Sequence, residues 1–352
     1  MKHLMRIFTG GPEETELRGP NEIRHPDAMW REIFLRCHFD DLPRMKMVCK
    51  QFYAVLTNNF WKDRCELEGI ALPPPQVVRL VHSRNSEFDY EYLYHYAHKG
   101  NVNPYGPNIV KDLPLERERA KEYAANLSWI TYQSQGCTYE EPPVGYQATV
   151  ECPNKCLATS YNWGYRQIVI NLEKCGVEPW ILDFLRPTVI VEEKHAPRHD
   201  CGAIYKLSIE MLRAEDVPSH GSHGRIRPDY APNQSRGTMV EKSYEQWAVQ
   251  PWVQESLQTV YPCGMTKALI LTRAKDTQFW AGEYGMKFTD TVVRLEFTQE
   301  PHWYERNEIE DQRGDGEDLS SSLRTHPFRS LRIPLFRGNN NPYRRQLPGP
   351  GQ

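Results

Sequence analysis

The stretch Ala203-Ile204-Tyr205-Lys206-Leu207-Ser208-Ile209-Glu210-Met211 decides the fold class. In an extended chain successive side chains point to opposite faces, so Ala203, Tyr205, Leu207, Ile209 and Met211 share one face while Lys206, Ser208 and Glu210 share the other. Shorter runs of similar character lie at 168–172, 189–191, 253–261, 267–273 and 291–297. Turn residues separate most of them and no helical pattern intervenes. That arrangement predicts an antiparallel β-sandwich, jelly-roll-like, over residues 127–298. Residues 213–242, rich in Gly, Pro, Ser and His, read as a long loop of the kind carried on a binding edge.

Upstream of the strands the period is helical. Trp30, Ile33, Phe34 and Cys37 fall at i, i+3, i+4 and i+7, which places them on one helix face. Asp41 offers an N-cap, and Pro43 sits in a first turn, where its missing N–H is harmless. A second stripe runs through Leu42, Met45, Val48, Cys49, Phe52, Val55 and Leu56. Asn58-Asn59 breaks it, and Phe60-Trp61 opens a further short helix. A unit of this size is near the lower limit for an independent core, so it is expected to lean on a partner. Pro73-Pro74-Pro75 reads as a stiff spacer. Tyr90, Leu93, Tyr94 and Ala97 predict a helix ending near Lys99-Gly100, and 115–123 predicts one more. The fold class is therefore α+β, divided as 1–22 disordered N-terminus, 23–70 small α-helical unit, 71–126 helical linker, 127–298 sandwich and 305–352 disordered tail. The tail is acidic over 308–318 and Arg-, Pro- and Asn-rich beyond 324, with little apolar content to offset the entropy of ordering.

Composition narrows the function by exclusion. The chain has 352 residues and a formal net charge of −3, so no overall basic field argues for nucleic acid. No run is long and apolar enough for membrane insertion, and residues 1–20 lack the apolar stretch of a signal peptide. The expected compartment is the cytoplasm, where the nine cysteines read as free thiols. Nine Trp and nineteen Tyr suit β-rich cores and flat binding platforms.

Two resemblances give the parts names. Pro26-Asp27, the helix through Cys37, Asp41-Leu42, Met47-Val48-Cys49-Lys50-Gln51-Phe52 and Phe60-Trp61 resemble an F-box, with His25 where the family has Leu. The resemblance implies docking on the Skp adaptor and, through it, on a cullin scaffold. By analogy Pro26, Ile33, Leu42, Val48 and Trp61 would face the adaptor. The sandwich resembles the F-box-associated domain of the sugar-recognising F-box proteins. The matching text is Tyr161-Asn162-Trp163, the strand 168–172, Trp180, Arg186-Pro187-Thr188-Val189-Ile190-Val191, the run from Asp200 to Leu207, Tyr261-Pro262, Phe279-Trp280-Ala281-Gly282 and Tyr284-Gly285.

This resemblance implies a substrate-recognition subunit of a ubiquitin ligase that grips the inner chitobiose of high-mannose N-glycans on misfolded glycoproteins. Trp280 would stack on the sugar, since an indole plane matches a sugar's C–H face, and Phe279 and Tyr161 would wall the pocket. The family motif reads Tyr-Trp-Lys-Gly, so the Tyr hydroxyl and the Lys ammonium are missing here. Arg273 and Lys275 are the basic residues that could replace the lost charge. The alternative is an interaction module that reads a glycan-independent protein degron. No catalytic residue, cofactor or metal is expected. Cys152 and Cys156 are two ligands where a structural zinc needs four, and the adjacent acids Glu140-Glu141 and Glu192-Glu193 would point to opposite faces of a strand and could not flank a glycosidic bond.

Overall fold

Four short helices open the described part of the chain in this computed structural model, which describes residues 26–145, 152–217, 230–247 and 251–297. The expectations of disorder at 1–22 and 305–352, and the His-rich run 219–224, lie outside the described residues. The helices are α1 (Asp27–Phe34), α2 (Leu42–Met45), α3 (Lys50–Val55) and α4 (Asn58–Leu67). The Cys49 thiol accepts from Phe52 N at 3.5 Å to start α3, and Thr57 Oγ1 accepts from Phe60 N at 3.4 Å to start α4. Each satisfies a backbone donor that has no partner within its helix. Asp41 precedes α2 but makes no capping bond with its side chain.

This helical unit leans on the chain's own linker. The linker holds α5 (Pro75–His82), α6 (Tyr90–Gly100) and α7 (Arg117–Ala125). Leu93 and Tyr94 of α6 complete a core with Phe34, Leu42, Phe52, Val55, Leu56, Phe60, Trp61 and Cys65. Arg64, buried in the same place, donates to Tyr94 Oη at 3.1 Å and to Cys37 O at 2.8 Å, and also to Leu35 O. One guanidinium thus ties together the end of α1, α4 and α6. The expected proline spacer is corrected: Pro75 begins α5, because a proline in a first turn displaces no helical hydrogen bond, and Val77, Leu80 and Val81 then bury one face.

Ten strands follow among the described residues: β1 (Ile130–Gln135), β2 (Cys137–Glu140), β3 (Cys156–Thr159), β4 (Gly164–Asn171), β5 (Thr188–Ala196), β6 (Ala203–Arg213), β7 (Gly237–Tyr244), β8 (Val253–Thr259), β9 (Met265–Asp276) and β10 (Lys287–Glu296). They form two five-stranded sheets, β1-β4-β9-β6-β7 and β2-β3-β10-β5-β8, with every pairing antiparallel. Two expectations are corrected. Helix α8 (Pro179–Leu185) lies between β4 and β5. The loop expected over 213–242 is shorter, because β6 runs to Arg213 and β7 takes Gly237–Tyr244. β7 is an edge strand that is half-buried to exposed along its length, so it lacks the alternation that marks a half-buried strand.

The apolar faces of both sheets meet in one core that also takes in α5, α7 and α8 residues. Two buried carboxylates are held there by several partners each or by an ammonium. Glu193 accepts from Tyr205 Oη at 2.8 Å, Thr272 Oγ1 at 2.9 Å and Thr291 Oγ1 at 2.8 Å, and forms an ion pair with Arg166. Lys287 meets Glu140 at 2.5 Å. The linker is welded to the sandwich by Trp129 Nε1 donating to Gly100 O at 2.8 Å, Ile109 N donating to Val293 O at 2.7 Å, and Arg84 lying 4.2 Å from the Trp180 ring centroid on α8.

Candidate functional site

The antiparallel registers bring five connections to one end of the sandwich: 136 between β1 and β2, 160–163 between β3 and β4, 197–202 between β5 and β6, the described residues 245–247 and 251–252 between β7 and β8, and 277–286 between β9 and β10. The pairings Gly164↔Ala274, Ala203↔Asp276, Ala203↔Tyr244 and Lys287↔Ala196 fix this shared end. Helix α8, against which α5 packs, sits in the β4–β5 connection at the opposite end. The aromatic loops therefore face away from the linker contact.

Backbone bonds lock these connections together. Asp276 N donates to Ser160 O at 3.0 Å, Thr277 N to Gly202 O at 2.9 Å and Gly285 N to Thr159 O at 2.7 Å. Gly164 lies so close to the β1–β2 turn that an added Cβ would stand 2.3 Å from Gly136 O, which explains the glycine after Trp163 in steric terms. Asp276 organises the longest loop. Its Oδ1 accepts from Gln278 N at 2.9 Å and Phe279 N at 2.8 Å, and Phe279 is held at a φ of 58°, a left-handed conformation costly for a bulky residue.

The result is a surface of exposed rings. Phe279 is 74% exposed, Trp280 39% and Tyr161 39%. All three expected binding residues thus lie on connections at this end. Phe279 and Trp280, adjacent in sequence, serve different neighbourhoods. Trp280 stands edge-to-face with Tyr284 at 5.4 Å, and Tyr284 carries Arg198 at 4.4 Å, itself bonded to Asp200 at 2.7 Å. Phe279 has the Lys275 ammonium 6.0 Å from its centroid.

The two candidate replacement cations part company. Arg273 is buried and donates to Tyr230 O at 2.6 Å. Tyr230 in turn packs over Tyr165 and Leu271 and over Val169, Leu212 and Leu269 on the outer face of the first sheet. Lys275, two residues on, is the one that reaches the site. Trp247, 68% exposed at a φ of 66° on the β7–β8 connection, also belongs to this end. Its loop is anchored by Gln246 Nε2 donating to Asp200 O at 3.1 Å. Sequence reasoning missed Trp247, since nothing local marks an aromatic just beyond an edge strand.

The five expected adaptor-facing residues divide. Pro26, Ile33 and Val48 are exposed, beside the exposed Met47 and Tyr53. Leu42 and Trp61 are fully buried in the core that Leu93 and Tyr94 of α6 complete, with Trp61 5.2 Å from Tyr94 and 4.9 Å from His95, ring to ring. Among the described residues no group of three or more His, Cys, Asp or Glu could hold a metal ion. Cys156 is buried, with its thiol 3.8 Å from Glu140, and burial pushes it up to about 12. Glu193 faces the core while Glu192 pairs with Arg294 at 2.6 Å, so these adjacent acids do point apart.

The F-box associated region family matches residues 101–295, and the F-box domain family matches residues 23–63. F-box only protein 6 of Rattus norvegicus is 30% identical over 141 residues, covering 40% of this chain and 44% of its own. F-box only protein 44 of Homo sapiens is 29% identical over 149 residues, covering 41% and 53%. F-box only protein 27 of Homo sapiens is 28% identical over 138 residues, covering 39% and 44%. The chain spans about half the length of the curated relatives it matches. Among solved structures, TmCBM61 in complex with beta-1,4-galactotriose superposes on 54% of this chain and all of its own at 10% identity and a TM-score of 0.29, a likeness too slight to argue from.

Proposed function

The chain belongs to the F-box associated region family, and from that premise we propose that it is the substrate-recognition subunit of a Skp–cullin–F-box ubiquitin ligase. It holds substrate on the aromatic end of its sandwich and contributes no catalytic group to ubiquitin transfer. The observation that carries this reading is the group of exposed Tyr161, Phe279 and Trp280 on interlocked loops remote from the linker contact. Exposed rings on a rigid frame are a feature of recognition surfaces. At the other terminus the exposed Pro26, Ile33, Met47, Val48 and Tyr53 form the face offered to the Skp adaptor, with Leu42 and Trp61 supporting it from beneath.

The substrate class proposed is the high-mannose N-glycan of misfolded glycoproteins, met in the cytoplasm, with Trp280 as the stacking platform. Phe279 and Ala281 favour a second reading, a protein degron, because two polar groups of the family's sugar motif are absent. The test is titration of the full chain, co-produced with its adaptor, with chitobiose. Saturable binding that Trp280→Ala removes supports the glycan reading. A folded complex that ignores chitobiose and still captures deglycosylated substrate sinks it and leaves the degron.

A further inference from the structure

Trp163 and Lys275 extend the aromatic end onto the outer face of the first sheet. Lys275 Nζ lies 5.3 Å from the Trp163 ring centroid and 6.0 Å from that of Phe279. Among the described residues this ammonium makes no ion pair; its neighbours are the two rings. Lys206 approaches the same indole at 5.5 Å, and its own charge is met by Glu241 at 2.8 Å. Asp276, next in sequence to Lys275, lies on the opposite face of β9, where its Oδ1 is taken by two loop amides. Two cations therefore share one ring and one carboxylate, leaving a net positive charge beside Phe279. Ring faces hold an ammonium without neutralising it, so the charge stays available to a ligand.

We infer that this end prefers a saccharide carrying an anionic substituent, with the acidic sugar's C–H face on the Phe279 ring, its carboxylate or phosphate on Lys275, and a neighbouring sugar on Trp280. The inference rests on the glycan reading above and goes beyond it. A neutral sugar leaves the ammonium with hydroxyl acceptors alone, whereas an anion makes a charge-assisted bond of roughly twice the strength. Lys275 is then the specificity-determining residue, and Trp163 positions it.

The experiment uses the full chain with its adaptor and matched sugar pairs: mannose against mannose 6-phosphate, and a glucose-terminated against a glucuronate-terminated disaccharide, with chitobiose as reference. The phosphate and carboxylate pairs identify which anion is read. The expected result is that the acidic member of one pair binds about tenfold tighter or more, an advantage that shrinks as salt is raised. Lys275→Gln removes the advantage of the acidic member, Lys275→Arg keeps it, and Trp280→Ala lowers binding of both members. Chitobiose binding with equal affinity inside both pairs overturns this inference alone, as does an acidic preference that survives Lys275→Gln. A folded complex that binds no saccharide, whether or not it binds acidic peptides, overturns the glycan reading and this inference together.

Discussion

Trp61 of α4 and Tyr94 of α6 lie ring to ring, 5.2 Å between centroids, with both side chains fully buried. One belongs to the F-box and the other to the linker, so the F-box core is completed by residues about thirty positions downstream. Arg64 crosses the same contact and bonds to the Tyr94 hydroxyl. The F-box and the linker helix share one core.

Tyr94→Ala is therefore expected to destabilise the F-box by about 3–5 kcal/mol, as for other large aromatics removed from a core, and to orphan one donor of Arg64. Chemical denaturation followed by Trp fluorescence measures it. A fragment ending before α6 should fail to give a cooperative transition. A stable fragment would show that the linker only decorates the F-box.

The Arg166–Glu193 pair predicts an asymmetric response. Both groups are buried, and removing one partner leaves the other's charge or hydrogen bonds unmet, at about 3–5 kcal/mol. Glu193→Gln and Arg166→Met should each lower the urea midpoint of the sandwich strongly. The double variant should lose less than the sum of the two, because they act on one interaction. Additive losses would mean that the residues act independently.

His195 and His95 predict weakening in mild acid. His195 is stacked on Tyr205 at 3.9 Å and bonded to Tyr244 Oη at 2.9 Å; burial, then the charge of Lys242, pulls it down to about 4. Burial, then Lys99, His98 and Lys46, does the same to His95, against the opposing pull of Asp40. Because each is depressed below its ordinary 6.5, the unfolded chain binds more protons in the interval between. Their stabilising contribution is full above the ordinary value and falls as pH drops toward 4, by on the order of 3 kcal/mol per histidine over the whole interval. Urea midpoints across that range check it, and His195→Gln should flatten the slope for the sandwich.

Asp276→Ala should disarm the site without unfolding the sandwich. Its carboxylate accepts the two amides that set the turn before Trp280. Their loss should cost about 1–3 kcal/mol and reduce ligand affinity more than adaptor affinity. Asp276→Asn keeps the acceptor oxygen and should retain most binding. Equal loss in both variants would mean that the charge, and not the loop geometry, is what the ligand needs.

Much of this was legible in the residues. The alternation through Tyr205 and Leu207 placed β6, and the spacing of Leu93, Tyr94 and Ala97 placed α6, because burial of one face imposes a period that composition preserves. β7 escaped because an edge strand buries too little to alternate, and α8 because seven residues are too few to show a helical period. α5 was hidden behind Pro73-Pro74-Pro75, where a residue that stiffens extended chain also suits a first helical turn. Tyr161, Phe279 and Trp280 were singled out by the resemblance to the F-box-associated domain, and no local period marks them as exposed.

What the sequence by itself determined was the kind of the strongly periodic elements and the class of the two domains, since period and turn chemistry are local properties. Which residues share a surface was decided only by the tertiary structure. Trp61 and Leu42 are grouped with Ile33 and Val48 in the sequence reading, yet in the fold the first two are fully buried and the last two exposed. Arg273 and Lys275 read alike, yet Tyr230 engages one while Trp163 and Phe279 leave the other charged at the site. The physical reason is that antiparallel pairing joins residues more than a hundred positions apart, as in Gly164↔Ala274, and no local pattern records which partner a strand will find.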